Sequence, residues 1–139
     1  MKIKIIYILF LFFFCFLVSY SIAGDVVVIG HSGLKKLDNI IIKKLFTGRI
    51  VEIDGIAITV INAAPGNSVR TRFLAAFLNQ DEDKYIAYWT VRKFIGKGRP
   101  PRELYSRDDI INFVQSTPGA IGYIDDTDMK PGLNILNKK

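Results

Sequence analysis

Cysteine and histidine are almost absent from this sequence. It contains one cysteine, Cys15, and one histidine, His31. Because Cys15 lies in an apolar stretch near the N-terminus, residues 24–139 contain no cysteine, and a fold held together by disulfide bonds is excluded. His31 has no cysteine or carboxylate partner at metal-ligand spacing, so the sequence offers no candidate metal site.

Recognisable catalytic motifs are also missing. The sequence has no G-x-S-x-G elbow, no P-loop and no H-E-x-x-H motif, and the neighbouring His31 and Ser32 lack a third group that would complete a triad. We therefore predict a protein that is not an enzyme and that carries no cofactor. Internal repeats and low-complexity segments are absent as well, which is typical of one globular domain.

Strong charge of either sign is lacking. The formal net charge is +6, and Lys2 and Lys4 contribute part of it. A modest positive excess is compatible with a small anionic ligand, but it gives no reason to expect a nucleic-acid partner.

The first 23 residues differ from the rest of the chain. Two lysines precede an uncharged apolar run over residues 5–18, and small residues at Ser21 and Ala23 follow it. This three-part pattern is typical of a secretory signal peptide, with cleavage predicted after Ala23. The apolar run is shorter than the about 20 residues that a membrane-spanning helix needs, although an uncleaved anchor is the alternative. We predict a periplasmic or secreted protein that contacts the membrane only through this segment before cleavage.

Residues 24–139 alternate between strand and helix patterns. Apolar, β-branched runs predict strands over residues 25–30, 56–61, 120–124 and 133–136. Helical spacing of apolar residues predicts helices over residues 34–48, 67–77, 81–96 and 106–114. This order predicts an α/β domain with a three- to four-stranded mixed sheet packed by about four helices.

Several segments together resemble a known family. They are Leu45 to Gly48, then Tyr88-Trp89 with residues 94–98 and Pro100-Pro101, and above all the segment 117–123, which reads TPGAIGY. The sequence resembles the phosphate-type periplasmic substrate-binding proteins of ABC transporters, over nearly the whole of residues 26–136. The resemblance implies one lobe of a type-2 periplasmic-binding-protein-like fold, a phosphate-like oxyanion as ligand and an ABC-transporter protein as partner.

The sequence departs from the family pattern at the anion loop. Family members carry Arg-x-x-x-Ser-Gly-Thr before a helix; here Ala63 stands at the arginine position, and Asn67-Ser68-Val69 stands for Ser-Gly-Thr. The chain is also too short to form the second lobe of a full-length member.

The turn after the second predicted strand is the candidate ligand site. A helix N-terminus offers unpaired backbone N–H groups and partial positive charge, which suit an oxyanion. We expect Gly66, Asn67 and Ser68 to supply those groups and Arg70 to add a charged contact. A plain N-cap with solvated arginines is the alternative.

Two further sets of residues are secondary candidates. His31 and Ser32, which follow the first strand, are expected at the same end of the sheet as the turn, and Arg72 is a second possible cation there. Lys97, Arg99 and Arg102 lie in a proline-restricted basic loop that can dock on an envelope or membrane partner, or be simply solvated. Docking of this kind defines the rival hypothesis, a ligand-free interaction or scaffold module that kept the fold.

Overall fold

A computed structural model describes residues 24–139, so the predicted signal peptide lies outside the described residues. Seven strands, four α-helices and a short 3₁₀ helix, Asp126–Asp128, form within this range. The strands are β1 Val26–Gly30, β2 Glu52–Ile53, β3 Ile56–Ala57, β4 Thr59–Ala63, β5 Arg102–Leu104, β6 Ala120–Asp125 and β7 Asn134–Lys138. The helices are α1 Asn39–Phe46, α2 Ser68–Phe73, which continues as a π-helical segment Leu74–Leu78, α3 Glu82–Phe94 and α4 Arg107–Ser116.

Five of the strands form one mixed sheet in the order β5-β4-β6-β1-β7. Strand β4 is parallel to both β5 and β6, whereas β1 is antiparallel to both β6 and β7. Every residue of β1 is buried, as expected of an apolar run in the interior of a sheet covered on both faces. The remaining strands, β2 and β3, form a hairpin whose turn residues Asp54 and Gly55 both have positive φ.

Helices cover both faces of the sheet. On one face the Phe73 ring of α2 stacks on Tyr123 of β6, with ring centroids 3.9 Å apart, and Phe46 of α1 packs beside them. On the other face α4 lies close to Gly122, where an added Cβ would meet Ile110 at 2.9 Å and Val114 at 3.2 Å. Alternation of side chains along β6 therefore defines a three-layer α/β structure.

Each helix begins at a side-chain cap. Asp38, Asn67, Asp81 and Ser106 each accept a hydrogen bond from a backbone N–H of the first turn. The first helix therefore begins at Asn39 and not near Leu34 as predicted. Leu34 and Leu37 precede the cap, in a loop where the Leu37 N–H donates to the Leu136 carbonyl at 3.1 Å.

The α/β class is confirmed, and the main sheet has one strand more than the upper predicted number. The additional strand is β5, whose Arg102 was expected in an irregular loop. Pro100 and Pro101 lie just before β5. The Ala64 N–H donates to the Leu104 carbonyl at 2.9 Å, which joins the end of β5 to the residue after β4. Among residues 24–139, no helix has both the length and the apolar character needed to cross a bilayer.

Candidate functional site

The candidate site is the turn that leaves the carboxyl end of β4 and opens α2. Gly66 lies in this turn with φ of +87°, and an added Cβ there would meet no atom within 4 Å. The Asn67 side chain caps the helix by accepting the Val69 N–H at 3.1 Å. Gly66 and Ser68 are exposed. The turn is therefore open to solvent, with a glycine at the position that requires a left-handed backbone.

Two backbone donors of the turn are free. The Asn67 N–H donates to the Ala64 carbonyl at 3.2 Å, and the Val69 N–H is capped. Within residues 24–139, the N–H groups of Gly66 and Ser68 donate to no protein acceptor. These two donors, with the Ser68 hydroxyl beside them, are what the turn offers to an anion.

Arg70 does not point toward this turn. Its side chain is buried, with the whole residue only 2% exposed, and it forms a bidentate pair with Glu82 at 2.8 and 2.7 Å. Its Nη1 donates to Glu103 at 2.8 Å and to the Ala63 carbonyl at 2.9 Å. The predicted contact of Arg70 with a ligand therefore disagrees with its placement, because three guanidinium nitrogens already donate to protein acceptors.

The electrostatics of this cluster fit a structural role for Arg70. Burial alone would lower the pKa of the Arg70 guanidinium, but the hydrogen bonds and attraction of Glu82 and Glu103 outweigh it and hold the pKa above its usual value. One cation faces two carboxylates, so little positive potential remains for a ligand. Arg70 instead joins the ends of β4 and β5 to the first turn of α3, and this fixes the strand end from which the turn starts.

A buried polar network lies beneath the cluster. The Asn62 amide donates to the Tyr85 hydroxyl at 3.0 Å, and the Tyr123 hydroxyl donates to the Asn62 carbonyl oxygen at 3.2 Å. The Ala63 N–H donates in turn to the Tyr123 hydroxyl at 3.1 Å. Burial raises the pKa of both tyrosines, so they stay neutral and act as hydrogen-bonding groups. This network fixes the carboxyl end of β4, at Asn62 and Ala63.

Arg72, the second predicted cation, also has protein partners. Its guanidinium donates to the Gly24 carbonyl and to Asp125 at the end of β6. Hydrogen bonds from Thr127 and from Arg72 lower the pKa of Asp125 to about 2. Arg72 therefore ties the start of the described chain to the sheet and does not face the turn as a free cation.

His31 and Ser32 lie at the opposite end of the sheet from the turn, so their predicted position is wrong. Strand β1 runs antiparallel to β6, which is itself parallel to β4, and the end of β1 therefore lies where β6 begins. The His31 N–H donates to the carbonyl of Ala120, the first residue of β6, at 2.9 Å. The sequence pattern does not reveal strand direction, which explains the error.

The three cations of the predicted docking loop are divided between the two faces of the sheet. Arg102 lies in β5, in register with Ile61 of β4, and its guanidinium lies over the Phe113 ring of α4. Arg99 lies on the other face, beside Trp89 of α3 and near Lys93. Lys97 lies shortly after the end of α3, and its carbonyl accepts from Arg92 at 2.9 Å. Lys97 and Arg99 thus belong to one surface and Arg102 to another.

Glu82 and Glu103 were not identified from the sequence. They lie 12 and 33 residues from Arg70, in a different helix and a different strand, so no local pattern links them. Phe94, at the end of α3, is 91% exposed, although Tyr85 and Trp89 of the same helix are buried. Within the described part of the chain, no cluster of histidine, cysteine and carboxylate side chains is suited to a metal ion.

Three solved structures are similar to this chain over most of its length. An ABC-type phosphate transport receptor from Vibrio cholerae aligns with a TM-score of 0.57 and 10% identity, over 83% of this chain and 47% of the receptor. A putative phosphate ABC transporter substrate-binding protein from Clostridium perfringens, solved with bound phosphate, aligns with a TM-score of 0.56 and 18% identity. The alignment covers 83% of this chain and 46% of that protein. PstS from Borrelia burgdorferi aligns with a TM-score of 0.59 and 17% identity, over 82% of this chain and 47% of PstS.

The comparisons define the class of fold. The chain spans about half the length of these proteins, and its fold is that of a single lobe of a periplasmic-binding-protein-like structure. The resemblance inferred from the sequence is thus confirmed at the level of structure. No protein-family model matches the chain, and no curated protein matches it in sequence. The first two of these structures carry names of phosphate-transport proteins.

Proposed function

We propose that this chain is an exported substrate-binding module that holds a small oxyanion such as phosphate at the turn 66–68, for an ABC transporter. The observation that carries the proposal is the pair of free N–H groups of Gly66 and Ser68 at the carboxyl end of β4. The fold shared with phosphate receptors supports it. Export remains a prediction, because it depends on residues 1–23.

The proposed contacts come from the backbone and one hydroxyl, without a guanidinium. Arg70 acts as a positioning residue in this proposal, since its nitrogens hold Glu82, Glu103 and the Ala63 carbonyl. A single lobe leaves the bound ion open to water on one side, which weakens each electrostatic contact. We therefore expect a dissociation constant of about 1 mM or higher, which corresponds to a binding free energy no more favourable than about −4 kcal/mol.

Substitution of Ser68 by proline tests the proposal directly. Ser68 is the first residue of α2, where proline is tolerated, and Asn67 before it already has the extended backbone, φ −76° and ψ 129°, that proline requires. Ser68→Pro therefore removes one proposed N–H donor and the hydroxyl without straining the fold. We expect saturable changes in the amide chemical shift of Gly66 when phosphate is added to the wild type, and their loss in Ser68→Pro.

Two control variants separate the contributions. Ser68→Ala removes only the hydroxyl, so it should retain part of the affinity. Asn39→Pro places the same substitution at the first residue of α1, after an equally extended Asp38, and should leave phosphate binding unchanged. A wild type whose Gly66 and Ser68 signals stay unchanged in phosphate and in sulfate would contradict the proposal.

The second candidate function is a protein-interaction module that retains the fold without a ligand. The observation that favours it is the engagement of Arg70 with two carboxylates, which removes the cation nearest to the turn. Under this alternative Ser68→Pro has no effect on any property of the protein except local stability. The titration of the Gly66 and Ser68 signals distinguishes the two functions, because only the first requires those signals to respond to an oxyanion.

A further inference from the structure

Large apolar side chains are exposed at the carboxyl end of α3. Phe94 is 91% exposed, Val91 is 58% exposed and Ile95 is 56% exposed, although all three are large enough to stabilise a core. Val91 and Ile95 are one helical turn apart, and Phe94 lies beside them. Three exposed apolar side chains grouped at one helix end form a candidate contact surface.

Exposed cations without carboxylate partners lie at and just beyond the ends of α1 and α3. The Arg92 guanidinium donates to the Gly48 carbonyl at 3.0 Å and to the Lys97 carbonyl at 2.9 Å, which brings the ends of α1 and α3 together. This region carries six exposed cations that form no ion pair with a carboxylate of residues 24–139: Lys43, Lys44, Arg49, Lys93, Lys97 and Arg99. We call these six residues with Val91, Phe94 and Ile95 the basic–apolar patch.

The charges elsewhere in the sheet contrast with the patch. At the carboxyl end of β6, Arg72, Arg107 and Lys138 each form an ion pair with an aspartate of residues 125–128. Basic residues in the last turn of a helix complement its dipole, which accounts for Lys43, Lys44 and Lys93. The dipole does not account for Arg99, which lies beyond the end of α3, or for the exposure of Phe94.

We infer that the basic–apolar patch binds the surface of an anionic lipid bilayer, with Phe94 and Ile95 entering the headgroup region. Unpaired lysines and arginines around protruding apolar side chains match the chemistry of peripheral membrane binding. A second copy of the chain is disfavoured as occupant, because two patches of like charge repel. This surface is a second membrane contact, beyond the N-terminal segment to which the sequence prediction limits such contact.

The patch and the anion turn are independent of each other. Arg99 precedes β5 and so lies toward its amino end, whereas Gly66 follows the carboxyl end of the parallel strand β4. Binding at the patch therefore leaves the turn accessible. The inference does not rest on the proposed oxyanion function, and either can fail alone.

Co-sedimentation with lipid vesicles tests the inference, using purified protein whose N-terminus is left as the cell processes it. Vesicles of phosphatidylglycerol and phosphatidylcholine are compared with vesicles of phosphatidylcholine alone. We expect binding only to the anionic vesicles, weakened by salt. The triple variant Lys93→Glu, Lys97→Glu and Arg99→Glu should reduce partitioning roughly a hundredfold, and Phe94→Ser roughly tenfold.

A matched triple variant controls for net charge. Lys36→Glu, Lys84→Glu and Lys130→Glu change the total charge equally but lie outside the patch, so partitioning should change much less than in the patch variant. Circular dichroism shows whether each variant is folded. Equal loss of binding in both triple variants overturns the inference, as does a wild type that ignores anionic vesicles. Binding that is insensitive to Phe94→Ser also overturns it, since the inference requires insertion of that ring. An acidic protein or a second copy that binds the patch while vesicles do not counts against it in the same way.

Discussion

Replacement of Arg70 by methionine tests whether the buried ion-pair cluster holds the candidate site together. Methionine fills much of the same volume but removes every hydrogen bond that the guanidinium makes to Glu82, Glu103 and the Ala63 carbonyl. Breaking a fully buried ion pair by removal of one partner costs about 3–5 kcal/mol. The Glu82 and Glu103 side chains are 31% and 40% exposed, so water replaces part of the lost interaction. We therefore expect the free energy of unfolding to fall by about 2–4 kcal/mol.

Urea unfolding followed by circular dichroism measures this change. With an m-value of about 2 kcal/mol/M, the unfolding midpoint should shift by about 1–2 M. Arg99→Met is the matched control, because Arg99 is exposed and forms no ion pair among the described residues, and its effect should stay within about 0.5 kcal/mol. A loss below about 1 kcal/mol in Arg70→Met would refute the role assigned to the cluster. Retained stability together with lost phosphate binding would return Arg70 to the role of a ligand.

Two further changes in stability follow from the packing and charges. Because the pKa of Asp125 in the folded protein is lowered to about 2, its contribution is present above the unfolded-state pKa of about 4 and is lost as the pH falls from about 4 to about 2. Asp125→Asn should remove on the order of 1 kcal/mol of this pH dependence after solvent screening, as measured by urea unfolding at several pH values. Gly122→Ala should destabilise the protein by about 1–3 kcal/mol in thermal unfolding, because the new Cβ would approach Ile110 and Val114 of α4 too closely; an unchanged melting temperature would show that α4 can shift.

Local sequence patterns predict the parts of this fold that depend on near neighbours. The apolar runs of β1 and β6 and the helix starts near residues 67 and 106 are visible, because strand burial and helix capping involve residues close in sequence. Strand β5 has only three residues, and its pairing with β4 depends on contacts across about 40 positions. The direction of β1 likewise depends on the whole sheet, which is why the position of His31 was wrong.

The contrast between local patterns and long-range contacts also explains why the candidate site was predicted only in part. The sequence predicts a helix cap and a glycine turn at residues 66–68, and both are confirmed as structural features. It also predicts a free guanidinium at Arg70, because an arginine near a turn is usually solvated. Two carboxylates from distant elements reverse that expectation, and the consequence is that an anion at this turn depends on backbone N–H groups.

The distribution of charge also determines how ligand binding has to be measured. Six exposed cations without ion pairs among the described residues lie in the basic–apolar patch, whereas Arg70, Arg72, Arg107 and Lys138 are each paired with carboxylates. Phosphate will therefore associate nonspecifically with Lys93, Lys97 and Arg99 whether or not the turn binds it. This association weakens as the ionic strength rises. A contact with the Gly66 and Ser68 N–H groups instead shifts those two amide signals when the ionic strength is held constant. Calorimetry or a bulk affinity measurement alone cannot separate these two processes. A titration that follows individual amide signals at a fixed salt concentration can.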